Sequence, residues 1–365
     1  MDTNKRLASL DTLRGFDMFF ISGLAALIIA ICGLFPGGAD CWLAQQMTHV
    51  EWNGWRHHDT IFPLFLFIAG ISFPFSYAKQ QEKGASRGAI YRKIFVRGLV
   101  LFGLGLLCNG ILNFHFDTLR FYSVLGRIGL AWMFAALLFI NFKPGTRAII
   151  AAAILIGYWL LCMIPAPDVP GADPLSQDGC LVGYIDRCIM PGHLYDGNFD
   201  PEGLLSTLPA IVTAMLGMFT GEWVRKENVS GNRKTVYMLA AAALCFALGY
   251  IWNIWFPINK KLWSSSFVLV LAGFSLASFA AFYWIIDVKG WNKWIFPFQI
   301  VGMNSIAIFM LPRFISISYA RDFFLGGVIR LCPGGWADVA ASGGRLLFVW
   351  LLMYFLYKQK IFLKV

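Results

Sequence analysis

Charge is scarce in this chain. Only 14% of the 365 residues are Asp, Glu, Lys or Arg, while 58% are apolar; an ordinary soluble domain carries about 25% charged residues. That balance excludes a water-soluble globule and, equally, a disordered chain, which needs low hydrophobicity and high charge. Cysteine is sparse too, at eight residues, which excludes a disulfide-built secreted mini-domain. No Cys/His spacing resembles a zinc site, and neither a P-loop nor a Rossmann glycine pattern occurs, so no metal or nucleotide fold is expected. No fixed-period or inverted repeat and no Ser/Gly-rich linker is visible, so one membrane domain over residues 1–365 is the expected organisation.

What the chain has in abundance is long apolar runs. They fall at roughly 14–35, 60–78, 95–112, 121–141, 148–164, 204–223, 235–256, 264–286, 295–319 and 345–358, each near the ~20 residues that a bilayer-crossing helix requires. The fold class is therefore all-α: a polytopic membrane protein of about ten transmembrane helices embedded in a lipid bilayer. The formal charge is +10, but its cations cluster between apolar runs instead of covering an amphipathic surface, so no nucleic-acid partner is expected. About two-thirds of the 30 Lys and Arg, among them Lys5, Arg6, Arg14, Lys79, Lys83, Lys360 and Lys364, fall in alternate connecting segments or at their borders. By the positive-inside rule those segments and both termini are cytoplasmic. The first apolar run has no A-x-A exit, and a retained span is expected in place of a cleaved signal peptide.

On that topology all five histidines, His49, His57, His58, His115 and His193, fall on the outer side. Imidazole is the usual group that takes and returns a proton near neutrality, so proton chemistry is expected at the outer mouth. Two outer loops, 36–58 and 165–203, are long, and long loops in compact domains are more often functional than idle. The first reads His49-Val50-Glu51-Trp52-Asn53-Gly54 and runs through Asp59 into Ile61-Phe62-Pro63-Leu64-Phe65. Asp59 at a helix start either orients an imidazole or caps the helix. Trp52 suits an interfacial anchor, and Asn53-Gly54 a turn. His57 and His58 are expected to be loop residues. Asn109, Asn113, Arg127 and Asn304 are polar groups in or beside spans, and polarity is costly enough there to suggest a lined cavity.

The His-x-x-Trp-Asn-Gly…Asp pattern and the helix after it resemble the heparan-alpha-glucosaminide N-acetyltransferase family. The resemblance continues through Leu10-Asp11-Thr12-Leu13-Arg14-Gly15, Gly183-Tyr184-Ile185-Asp186-Arg187, Asp200-Pro201-Glu202-Gly203, Asn259-Lys260-Lys261-Leu262-Trp263-Ser264 and Gly302-Met303-Asn304-Ser305, nearly end to end. The lumenal N-terminal extension of the animal enzymes is not matched, and a bacterial homologue in the inner membrane is expected.

The resemblance implies acetyl transfer from cytoplasmic acetyl-CoA to a terminal glucosamine on the far side of the membrane, with a homodimer as the oligomer. It implies His49 as the catalytic histidine. Asp59 would stand behind it, and Asn53 would donate to the developing oxyanion or fix the sugar. His49 acts either as a base towards the acceptor amine or as the carrier of a covalent acetyl group. On the donor side, Arg14 is the expected phosphate contact, steered by Asp11, with Ser72, Ser76 and Asn304 as further candidates. On the acceptor side the candidates are Trp52 and Trp263 for stacking, Lys260 and Lys261 for acidic groups and Glu202 for a sugar hydroxyl. Two other readings stay open: a transporter of a sugar or acylated glycan, and an O-acyltransferase acting on envelope glycans.

Overall fold

The computed structural model describes residues 7–190 and 192–363, and its regular structure is helical apart from one isolated bridge between Pro165 and Cys180. Lys5, Arg6 and Lys364 of the expected cytoplasmic cations lie outside the described residues. In chain order the helices are α1 (Ala8–Cys32), α2 (Trp42–Gln46), α3 (His57–Glu82), α4 (Arg87–Cys108), α5 (Val124–Asn141), α6 (Pro144–Cys162), α7 (Leu181–Ile189), α8 (Thr207–Arg225), α9 (Gly231–Trp252), α10 (Ser265–Val288), α11 (Phe296–Met303), α12 (Ser305–Phe314), α13 (Ile317–Leu331) and α14 (Trp336–Lys358). Eight of these, α1, α3, α5, α6, α8, α9, α10 and α14, are long and apolar enough to cross a membrane. That is the architecture of a polytopic membrane protein.

The two remaining expected spans differ from the rest. The run at 95–112 belongs to α4, an unbroken 22-residue helix whose first half carries Arg92, Lys93 and Arg97. The run at 295–319 is broken into α11, α12 and the start of α13. The first break is at Asn304, whose side-chain amide donates to the Ile361 carbonyl (3.0 Å) and accepts from the Leu363 N–H (3.0 Å). Asn304 thus satisfies the backbone of the chain's last described turn, as buried polar groups in a membrane helix must do for one another.

Close helix contact explains where the bundle's glycines fall. A Cβ on Gly217 would meet the Phe67 carbonyl, one on Gly221 the Ile71 carbonyl, and one on Gly70 the Ala214 carbonyl. The Gly217-x-x-x-Gly221 step of α8 therefore lies directly against the α3 backbone, the small-residue contact that membrane helices use in place of a hydrophobic driving force. A second such contact joins α1 to α11, where Gly15 meets the Phe298 carbonyl and Gly302 the Asp11 carbonyl. Within α1, the turn Phe20–Leu24 is widened, with Gly23 at φ 140, a backbone angle reserved in practice for glycine.

These contacts fix α3 at the centre of the bundle, and three segments meet over its first turn. We call this the upper end. The Gly54 N–H donates to the Ile258 carbonyl (2.7 Å), joining the 36–56 loop to the α9–α10 turn. The Trp52 indole donates to the Leu175 carbonyl (2.8 Å), joining the same loop to the 165–203 segment.

Candidate active site

The site starts from the way α3 begins. Its first turn offers backbone N–H groups with no partner inside the helix, and Asp59 fills that need: its Oδ2 accepts from the Arg56 N–H (3.0 Å) and the Val50 N–H (3.3 Å). The helix consequently starts at His57, so His57 and His58 are helical, not loop residues as expected. The other carboxylate oxygen of Asp59, which is fully buried, lies 2.7 Å from His49 Nδ1 and 3.2 Å from Lys260 Nζ. Lys260 Nζ in turn stands 2.9 Å from His49 Nδ1. Burial pushes the Lys260 ammonium below the usual lysine range, with Asp59 opposing the shift. With Nδ1 held from the protein side, Nε2 is the ring nitrogen left for chemistry, and the His49 side chain is 54% exposed.

His49 opens into a cavity of about 610 Å3 that also receives Trp52, His58, Asp59, Glu202, Lys260, Lys261 and Trp263. The cavity descends from these polar groups to an apolar lower part walled by Met18, Ile21, Phe65, Ile128 and Phe309. A polar mouth above an apolar shaft is the ordinary construction of a small-molecule site.

At the mouth every lysine is already committed. Lys261 pairs with Asp196 (2.8 Å) and lies 5.9 Å from the Trp52 ring centre, while Lys260 pairs with Asp59. Glu202 is bound by Arg120, whose guanidinium also grips the buried Asp200 with two bonds of 2.7 Å. The Arg120 charge is reinforced: burial opposes it, but Asp200 and Glu202 outweigh that and raise its pKa above the usual arginine value. Under this layer Asp186, buried and bonded to the Tyr122 hydroxyl (2.8 Å) and the Leu204 N–H (2.9 Å), has its pKa pushed up to about 6 by desolvation.

Several candidates lie elsewhere. Asn53 is outside the cavity lining, and its side-chain oxygen accepts from Asn259 (3.2 Å), so it ties the His49 loop to the Lys260 turn. Trp263 forms a buried wall and not an open stacking platform: its indole donates to Thr213 (3.2 Å), and Phe62 and Phe267 pack on its ring. Arg14, Asp11 and Ser72 lie further down, with Arg14 bonded to Asp11 (3.3 Å) and to the Ser72 hydroxyl (3.4 Å). Ser72 is thirteen residues along α3 from Asp59, about 20 Å down the helix axis. Ser76 is exposed and bonded by Gln80 (3.4 Å), and Asn304 is spent on the C-terminal tail as described above.

Sequence reasoning missed His58, Arg120, Tyr195 and Arg313, all of which line the cavity. His58 packs its ring 4.6 Å from that of His49, and Tyr195 lies under the Arg120 guanidinium at 4.7 Å. A signal for Arg120 did exist: the acidic pair Asp200 and Glu202 before an apolar helix requires a nearby cation.

The chain has relatives in sequence. A family profile described as heparan-alpha-glucosaminide N-acetyltransferase, catalytic, matches residues 6–250. The chain is 28% identical to the heparan-alpha-glucosaminide N-acetyltransferase of Homo sapiens over 99% of its own length and 60% of the human protein, and 29% identical to that of Mus musculus over 61% of the mouse protein. It therefore spans about three-fifths of the length of these relatives. With the profile covering His49, Asp59 and Glu202, and eight apolar helices around them, the chain is an integral membrane protein that belongs to the heparan-alpha-glucosaminide N-acetyltransferase family of acyltransferases.

Proposed function

We propose that this protein is a transmembrane acetyltransferase that moves an acetyl group from acetyl-CoA, supplied at the lower, cytoplasmic end, to the amine of a terminal glucosamine-type sugar at the upper, extracytoplasmic end. The observation that carries this reading is the His49 ring, backed by Asp59 at 2.7 Å and opening into a shaft that reaches down to Met18. Met18 is one helical turn above Arg14 on α1. Counting α4 and the broken pair α11–α12 as crossings gives ten, an even number that leaves both termini on one side; in our reading that side is the cytoplasm, because the cations cluster there, and the membrane is a bacterial inner membrane.

The residues present suit the donor. The shaft walls are apolar and match a slender thioester arm, while Arg14, outside the cavity lining and one helical turn below Met18, carries the planar donor fork that phosphate favours. CoA's polyanionic part then stays below while its thioester reaches the His49 level. The acceptor enters as the free amine. As its nitrogen attacks the thioester carbonyl, His49 Nε2 takes a proton from that nitrogen; the C–N bond forms, the C–S bond breaks, and His49 returns the proton to the leaving thiolate, so that the products are the neutral amide and the free thiol. The acceptor amine is drawn from the names of the human and mouse relatives.

Purified protein in detergent, given labelled acetyl-CoA and glucosamine, is expected to yield labelled N-acetylglucosamine; a carrier yields none, and an O-acyltransferase leaves the amine free. Arg14→Ala is expected to raise the KM for acetyl-CoA roughly ten-fold, the worth of a charged hydrogen bond, and to leave the acceptor KM unchanged. Initial-rate kinetics read both, and an unchanged donor KM contradicts the lower site.

A further inference from the structure

Lys260 stands in a contact that the two-residue scheme of His49 and Asp59 leaves unexplained. Three groups converge on one point: His49 Nδ1 and Asp59 Oδ1 at 2.7 Å, Lys260 Nζ and His49 Nδ1 at 2.9 Å, and Lys260 Nζ and Asp59 Oδ1 at 3.2 Å. A ring nitrogen has one in-plane site, which holds either a proton that is donated or a lone pair that accepts. With a lone pair on Nδ1, the Asp59 carboxylate would face it at 2.7 Å with like polarity. With the proton on Nδ1, His49 donates to Asp59, and the Lys260 ammonium donates to Asp59 as well. The second arrangement gives the Asp59 oxygen two donors, makes the 2.9 Å approach of Lys260 Nζ to Nδ1 a repulsion between donors, and leaves the Nε2 lone pair on the cavity side.

In that arrangement one carboxylate serves two partners. A lone Asp59 would favour the protonated ring, since an opposite charge at this distance stabilises an imidazolium. The ammonium beside Nδ1 has the reverse effect. We propose that Lys260 is a positioning residue that takes up the charge of Asp59, so that His49 rests as the neutral imidazole with Nε2 ready to accept a proton. The inference rests on the reading of His49 as the base. It also gives Lys260 a role other than holding acidic groups of the acceptor. The same repulsion acts during the reaction, when His49 holds the amine proton, and drives that proton on to the leaving thiolate.

The surroundings hold Lys260 in place and supply no substitute. Asn259 accepts from the Leu262 N–H (2.8 Å), the Asn259 N–H donates to Ser264 (3.0 Å), and Trp263 is held at φ 53, so the turn is braced on both sides. The other charged or titratable groups near His49 are engaged or set apart. Arg56 donates to the Thr48 hydroxyl (2.6 Å) and the His49 carbonyl (3.3 Å), and His58 meets the ring face. Glu202 is bound to Arg120 and Lys261 to Asp196, while Glu51 lines the mouth. None of these bonds Asp59 from the side chain.

The test is the pH dependence of kcat/KM for the full chain in detergent, with labelled acetyl-CoA and glucosamine, in the wild type, Lys260→Met, Lys260→Gln and Lys260→Arg. A base must be unprotonated to work, so activity falls on the acid side. Removing the neighbouring cation favours the protonated ring and moves that acid limb to higher pH by about one unit. Lys260→Met is therefore expected to lose roughly ten-fold activity near pH 6 and to recover towards the wild type near pH 9. Lys260→Gln, which keeps a donor without the charge, is expected to share the shift, and Lys260→Arg to restore the wild-type limb. A wild-type acid limb in Lys260→Gln or Lys260→Met, with the rate scaled equally at every pH or only the acceptor KM raised, overturns the inference. His49→Ala separates the two claims: if it stays active, the base reading fails and this inference with it, whereas an inactive His49→Ala beside an unshifted Lys260→Met overturns Lys260 alone.

Discussion

His49→Ala is expected to lower acetyl transfer by roughly three orders of magnitude, the usual worth of a positioned general base. The effect should fall on kcat, because the ring touches the proton in flight and no part of the donor's phosphates. Folding should survive the change. The His49 side chain is 54% exposed, and after its removal Asp59 keeps the Arg56 and Val50 N–H groups and Lys260 as partners. A thermal-shift measurement with and without acetyl-CoA distinguishes the cases: the variant should melt near the wild-type temperature and still be stabilised by the donor. Retention of more than a tenth of the wild-type rate contradicts the assignment.

Asp59→Asn is expected to cost a comparable amount in rate and, unlike His49→Ala, to weaken the fold. The carboxylate accepts from four donors: the His49 ring, Lys260, and two backbone N–H groups. An amide keeps one accepting oxygen and turns an N–H pair against donors on its other side. The His49 tautomer then reverses or the ring swings free, a change known from other histidine–carboxylate pairs to cost roughly 10⁴-fold in rate. Lys260, largely buried, is left without its counter-charge, and removing one partner of a buried pair costs about 3–5 kcal/mol. Parallel measurement of kcat and melting temperature checks both parts. A variant with a wild-type melting temperature shows that Lys260 does not depend on Asp59, and one with wild-type kcat shows that the ring does not.

The parts of the molecule that the sequence discloses are those governed by local rules. Apolar length locates eight of the ten expected spans, and the spacing of His49 ahead of Asp59 in the first turn of a helix brings the two within reach, as a carboxylate is wanted at a helix N-terminus. Where a residue has two local uses the sequence does not choose. Asn304 could line a cavity or satisfy backbone, and it is spent on Ile361 and Leu363; Asn53 could face the reaction or brace a turn, and it bonds Asn259. His57 and His58 were misplaced because the capping contact of Asp59 with Arg56 draws the helix start back past them. Contacts between distant segments are illegible in one sequence. Lys260 reaches His49 across 211 residues and Arg120 reaches Asp200 across 80, and only the packing of the upper loops brings them together.

The central claim is that donor and acceptor meet from opposite faces of one membrane. Proteoliposomes of a single orientation, checked by protease access to the 165–203 segment, provide the direct measurement, with labelled acetyl-CoA on one face and glucosamine on the other. Labelled N-acetylglucosamine should form when acetyl-CoA is on the face of the 79–94 loop and glucosamine on the face of His49, and should be absent when the two are exchanged. Product that forms only when both compounds share one face contradicts the account.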